Sequence, residues 1–328
     1  MKYAKDTRPK GVANKAAEVL VEALPWIKNI TGKTVVIKYG GSAMVDEQLR
    51  ADVMNDIVLL KIVGVNPVIV HGGGKAITEA MDFLQLPVEF KDGQRVTTPE
   101  AMDLVRTVLM GKVNQELVEA LNEHGNFAVG VSGADAGVIV AEQASPELGR
   151  VGRITRINSP LLDDLVAGDY IPVVASVALG EDGGFYNVNA DMVAGHIAAA
   201  IGAHKVVFLT DVDGLYENFE NKDSLISNLT LFEAQYMVEN NIVSTGMIPK
   251  LKSCIHALDS GVFRAHIING ITPHSLLLEL LTSTGVGTTM HSTEESCTFD
   301  THPLGNFASK LLENRQHAAS AMQNTKVF

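Results

Sequence analysis

Two cysteines, no long apolar run and a shortage of cations set the first limits. Among 328 residues, Cys254 and Cys297 are too few for a disulfide framework and lack metal-ligand spacing, which fits a reducing compartment. No stretch approaches the ~20 consecutive apolar residues of a membrane span. The start, Met1-Lys2-Tyr3-Ala4-Lys5-Asp6, lacks the apolar core of a secretion signal, so a cytoplasmic location is expected. Lys and Arg number 26 against 38 Asp and Glu, a net charge of −12. That argues against nucleic acid or an anionic membrane as partner and leaves room only for a local basic pocket. The ten histidines show no H-E-x-x-H or comparable pattern, and no protein-held metal is expected.

The two standard nucleotide motifs are missing as well. Gly72-x-Gly74 would need a small residue at position 77 to make a dinucleotide fingerprint, and Ile77 stands there. Gly32-Lys33-Thr34 lacks the earlier glycine of a phosphate-binding P-loop. What is present is ample apolar material, 46% of residues, arranged as strands alternating with helices. Strands are expected over 34–37, 67–70, 128–131, 137–142, 154–157, 171–175, 205–210 and 265–268. Helices are expected over 47–63, 75–84, 99–110, 113–124, 191–200, 231–239 and 250–260, with a hairpin through Asp92-Gly93. The long connection between the strands at 34 and 70 implies a right-handed crossover, hence one open, mostly parallel α/β sheet with a functional split near residue 175. A first helix over 14–30 carries the stripe Ala17, Leu20, Val21, Leu24, Ile27 and either packs on its own domain or docks on a neighbouring subunit. Beyond Thr289 the pattern fades, with one helix over 306–322 and no legible function.

Polar residues collect where strands end. Asn187-Val188-Asn189-Ala190-Asp191 precedes an alanine-rich helix, and glycine loops follow two strands at Lys38-Tyr39-Gly40-Gly41 and His71-Gly72-Gly73-Gly74. A glycine run between strand and helix lets backbone N–H groups approach a phosphate, although it also makes a tight turn. Lys38 stands at the crevice end of a buried strand, where open α/β sheets bind ligands. Lys250 begins a helix after Pro249, a position where a cation opposes the helix dipole unless it has an anionic partner. Asp191 can cap its helix, hold both ammonium groups, or do both. Asn187 and Asn189 suit either substrate contacts or turn formation. Arg95 suits a bidentate carboxylate clamp or an exposed strand position. Asp211-Val212-Asp213-Gly214 lacks EF-hand spacing and reads as a turn lining a nucleotide pocket. His71 reads as a packed turn residue.

The order Val-Ile-Lys38-Tyr-Gly-Gly, Val-Ile-Val-His71-Gly-Gly-Gly, Gly93-Gln-Arg95-Val-Thr, Asn187-Val-Asn-Ala-Asp191, Phe-Leu-Thr210-Asp-Val-Asp-Gly-Leu and Gly246-Met-Ile-Pro-Lys250 resembles the amino acid kinase family over residues 14–289. The resemblance implies a central, mostly parallel sheet sandwiched by helices over 32–289. An N-acetylglutamate-binding lobe would occupy 32–180 and an ATP-binding lobe 181–289. Residues 1–31 would form an oligomerisation helix and 290–328 a tail of no assigned role. It implies transfer of a phosphoryl group from ATP, with Mg2+ carried by the nucleotide, to the side-chain carboxylate of N-acetyl-L-glutamate on the way to arginine.

In that reading Lys38 and Lys250 stabilise the transition state, Asp191 organises them, and Gly41 and Gly73 donate N–H groups to the moving phosphoryl. Gly73, Gly74, Arg95 and an asparagine, Asn187 ahead of Asn189, hold the acceptor; Thr210, Asp211, Val212, Asp213, Gly214 and Leu215 hold ATP. The acceptor carboxylate is already a nucleophile, so neither general base nor covalent intermediate is required. The ends resemble the arginine-inhibited branch, a hexamer built as a trimer of dimers, with Trp26, Lys205, His266, Glu279 and Gly285 as contacts for L-arginine. A non-catalytic amino-acid sensor is the alternative from another class, and the presence of both lysines and the aspartate argues against it.

Overall fold

The computed structural model describes residues 10–44, 46–91 and 93–292. Eight strands form the central sheet, in the order Asn228–Thr230, Thr288–His291, Arg264–Asn269, Lys205–Thr210, Thr34–Tyr39, Asn66–His71, Ile171–Ala175, Ala128–Ser132. Neighbours run parallel throughout, except that Thr288–His291 is antiparallel to Arg264–Asn269. The inner strands are apolar at nearly every position because both faces are covered.

One layer buries Val35, Ile37, Tyr39, Ile69, Val173 and Leu209 under the helices Glu47–Ile62 and Pro99–Val108. The other buries Val36, Val68, Val70, Val174 and Phe208 under Ala190–Ala200 and Ile248–Asp259. Alternation along a strand then places Lys38 on the Val36 side, toward the layer that carries Asp191 and Lys250. No helix among the described residues is long and apolar enough to cross a membrane.

Several elements depart from expectation. Between Ile171–Ala175 and the alanine-rich helix there is no simple loop. The chain instead adds Val177–Gly180 and Phe185–Asn187, which join Ile139–Gln143 and Gly152–Ile157 in a second, four-stranded sheet. The two helices expected over 99–110 and 113–124 are one continuous run, Pro99–Val108 and Gln115–Asn122 joined by a π-helical segment, Leu109–Asn114. The hairpin shrinks to Phe90–Lys91 and Gln94–Arg95. Short helices at Pro160–Ala167 and Ser275–Leu281 were not anticipated.

The first helix spans Lys10–Ile30, and its apolar stripe faces both ways. Ala23, Trp26 and Ile27 pack on the core and Ile30 is buried, while Val19, Leu20, Val21 and Leu24 are exposed. Residues 290 and 291, expected in the tail, close the strand Thr288–His291. The helix expected over 306–322 lies outside the described residues.

Candidate active site

Asp191 is the second residue of its helix, but it is not the cap. Asn189 caps: its Oδ1 accepts from the backbone N–H groups of Asp191 (2.9 Å) and Met192 (3.2 Å). Relieved of that task, the Asp191 carboxylate meets both lysines, with Lys38 Nζ 3.0 Å from Oδ1 and Lys250 Nζ 3.0 Å from Oδ2. Pro249 stands in the first turn of the helix Ile248–Asp259 that delivers Lys250, and one turn on Ser253 Oγ donates to the Asp191 carbonyl, locking the two helices together. Burial works to raise the Asp191 pKa, yet the ammonium groups of Lys38 and Lys250 outweigh it and hold the carboxyl below the usual carboxylate range. Two cations around one anion leave a net positive charge in a nearly buried place.

Two glycine loops close on this charge. Gly41 has φ +75°, and a Cβ there would lie 2.5 Å from Asp211 Oδ1, so any side chain would be both strained and obstructed. At Gly73 the backbone is extended and the requirement is close approach, since a Cβ would meet Leu109 Cδ2 at 2.7 Å. Bare backbone therefore faces a cleft of about 1000 Å³, lined by Lys38, Gly41, Gly73, Arg95, Asn187 and Asp191 among others.

Arg95 is buried, not exposed. Its Nη2 donates to Thr78 Oγ1 (2.6 Å) and the Gly74 carbonyl (3.0 Å), and its guanidinium lies 4.7 Å from the centre of the Phe90 ring. Burial lowers its pKa against the opposing pull of Asp82. Asn187 lines the cleft and its Nδ2 donates to Thr97 Oγ1 (3.3 Å), whereas Asn189 spends Oδ1 on the cap.

Lys250 touches Asp191 without lining the cleft, and of the six residues expected to hold a nucleotide only Asp211 lines it. Thr210 ends its strand, and Val212 packs on the core. Asp213 is engaged by the Tyr216 hydroxyl (2.5 Å) and Asn269 Nδ2 (2.8 Å), and these hydrogen bonds, Tyr216 first, lower its pKa. Gly214 abuts Thr288, whose Oγ1 accepts from the Leu215 N–H at 2.8 Å. Sequence reading missed Arg50, Lys75, Lys112 and Glu116, which also line the cleft, with Arg50 Nη1 3.3 Å from Glu116 Oε2.

A second cluster stands at the other end of the strands. Lys205 opens its strand and Thr210 closes it, roughly 17 Å apart at about 3.3 Å per residue. There His266 Nδ1 lies 2.7 Å from Glu279 Oε1, and the Val286 and Gly287 N–H groups donate to Glu279 Oε2 at 2.7 and 3.2 Å. Gly285, at φ +60°, borders the same carboxylate. Burial would raise Glu279; the His266 hydrogen bond and charge, then the Val286 N–H, bring it down to about 2. Burial lowers Lys205 to about 8 and His266 to about 4. Trp26 is not hydrogen-bonded to this group, but its helix packs on Ser275–Leu281, which carries Glu279.

Residues 33–269 match the model of the amino acid kinase family. The chain is 51% identical over 274 residues to an acetylglutamate kinase of Caldanaerobacter subterraneus subsp. tengcongensis, covering 83% of this chain and 92% of that one. It is 48% identical over 283 residues to an acetylglutamate kinase of Corynebacterium urealyticum, covering 84% and 92%. Among solved structures, N-acetylglutamate synthase from Neisseria gonorrhoeae, complexed with coenzyme A and N-acetyl-glutamate, superposes with a TM-score of 0.74 at 23% identity. That match covers 84% of this chain and 63% of the synthase, and at this identity it speaks for the fold alone.

Proposed function

Since the chain belongs to the amino acid kinase family, among its acetylglutamate kinases, we propose that it moves the γ-phosphoryl of Mg·ATP onto the side-chain carboxylate of N-acetyl-L-glutamate, at the cleft between Asp191 and the two glycine loops. The observation that carries this is Asp191 bridging Lys38 and Lys250. Bringing a carboxylate to a phosphate opposes two anions, and most of the catalysis is positioning plus charge stabilisation. Asp191 orients both lysines, Lys38 on the cleft side and Lys250 toward the nucleotide. The N–H groups of Gly41 and Gly73 meet the oxygens of the moving group. Arg95, buried and fixed by Thr78 and the Gly74 carbonyl, holds the acceptor's α-carboxylate with Asn187, and Asn189 serves by holding the helix start. Thr210 to Leu215 form the floor of the nucleotide site, with Asp211 alone reaching the cleft.

Feedback inhibition by L-arginine is the finer part of the reading. A buried carboxylate, Glu279, held ionised beside Lys205 and His266, suits the guanidinium and carboxylate ends of that ligand. The outward Val19, Leu20, Val21 and Leu24 of the first helix suit its packing between dimers of a hexamer. The experiment is ATP turnover with N-acetylglutamate, glutamate, aspartate and carbamate side by side, with and without millimolar L-arginine. Turnover is expected with the acetylated acceptor alone, suppressed by arginine in the unsubstituted chain and not in Glu279→Gln. Equal use of free glutamate would overturn the acceptor assignment; undiminished activity in arginine together with a dimeric mass would overturn the regulatory one.

A further inference from the structure

The glycine loop after the strand Asn66–His71 is braced from behind by two side chains with no exposed surface, His71 and Asn114. Asn114 Nδ2 lies 2.8 Å from the Val173 carbonyl oxygen and 2.9 Å from His71 Nε2, and His71 Nδ1 lies 2.9 Å from the Gly72 carbonyl oxygen. A carbonyl only accepts, so the Asn114 atom facing Val173 is the amide nitrogen and His71 Nε2 must accept from it. The Gly72 carbonyl likewise only accepts, so His71 Nδ1 must carry the proton. Both demands select the same neutral tautomer. Burial, opposed by the Gly72 carbonyl, lowers the His71 pKa to about 4, so the ring stays neutral around pH 7. The Asn114 Oδ1 fills the space where Gly130 would carry a Cβ, 2.1 Å away, which accounts for a glycine in mid-strand.

The Gly72 carbonyl and the Gly73 N–H belong to one planar trans peptide and point in opposite directions. Fixing the carbonyl on His71 therefore aims the Gly73 N–H away from the ring. From the other side, Leu109 and Val113 of the same π-helical segment press on Gly73, with the methyl carbon of Leu109 2.7 Å and that of Val113 3.2 Å from where its Cβ would be. We propose that His71 and Asn114 are positioning residues, which set the Gly72–Gly73 peptide so that its N–H faces the phosphoryl group in transfer. This rests on the reading above that the Gly73 N–H meets that group. Neither side chain touches the reactants; both act through the peptide, whose N–H also becomes a stronger donor when its carbonyl accepts a hydrogen bond.

The test uses the full chain with 15N-labelled histidine, the His71 signals being identified by their loss in His71→Leu. The expected spectrum shows a proton on Nδ1 and an unprotonated Nε2 at neutral pH; a proton on Nε2 would overturn the proposal, whether or not any variant folds. Asn114→Asp is nearly isosteric and presents an acceptor to Nε2; the same 15N spectrum identifies the condition, a neutral ring with its proton on Nε2, in which the Gly72 carbonyl is freed. In that variant kcat should fall on the order of ten- to a hundredfold, as for a misdirected transition-state donor, with the KM for ATP unchanged within about twofold. A folded Asn114→Asp with the switched tautomer and undiminished kcat would also overturn it. Absence of N-acetylglutamate phosphorylation by the unsubstituted chain would instead sink the functional reading, while leaving the tautomer measurement intact.

Discussion

Replacing Lys38 by methionine is expected to lower kcat on the order of a thousandfold, and Lys250→Met at least a hundredfold, with KM values changed little. Methionine keeps the reach and apolar stem of lysine and removes only the charge. Each variant leaves Asp191 one remaining ammonium partner, because the lysines bind different carboxylate oxygens. The fold should therefore survive, with unfolding midpoints near that of the unsubstituted chain. What disappears is a cation placed where negative charge spreads during transfer, a loss felt in the transition state more than in the ground state. Steady-state kinetics on the two purified variants checks this; retention of a tenth or more of the turnover in both would mean that the lysine pair is structural.

The second large effect is expected at Asp191. Asp191→Asn leaves two ammonium groups 3.0 Å from a neutral amide in a nearly buried site. Breaking a buried pair by removing one partner costs roughly 3–5 kcal/mol, and here one carboxylate serves two cations. Turnover should fall with stability, since neither lysine keeps its orientation. The sign with pH follows from the depressed pKa of the folded carboxyl. Its contribution is complete above the ordinary aspartate pKa of about 3.9 and is lost as pH falls through the lower folded value. Denaturant unfolding of both forms should therefore show a stability gap that is full at pH 7 and narrows in acid. A gap that is constant across that range, or that widens in acid, would show that the carboxylate is not held ionised by the lysines.

Much of this site is legible in the sequence, because it depends on local rules. Lys38 and Val36 share a strand face by simple alternation, and Pro249 marks the helix start that presents Lys250. The capping assignment was ambiguous for a physical reason. Asn189 and Asp191 are both good N-cap residues, and only tertiary contact with two lysines decides which one is free. Other features depend on partners that periodicity does not encode. The π-helical segment adds a residue to a turn without breaking the apolar stripe of Leu109 and Val113, so two helices were expected where there is one. The only hint is Asn114, a polar residue at a core position. The strands at Val177–Gly180 and Phe185–Asn187 are too short to register against the adjoining loop residues. The first helix carries enough apolar surface for a core, but its pattern does not reveal that Leu20, Val21 and Leu24 face outward.

The chemistry itself can be read from its product. Transfer of a phosphoryl group to a carboxylate makes an acyl phosphate, which hydroxylamine converts to a stable hydroxamate. With ATP and N-acetylglutamate, the full chain should release ADP and form hydroxamate in equal amounts, and the Lys38→Met and Lys250→Met variants should lose both together. ADP release without hydroxamate, or hydroxamate formed undiminished by the variants, would contradict phosphoryl transfer at the Lys38–Asp191–Lys250 pocket.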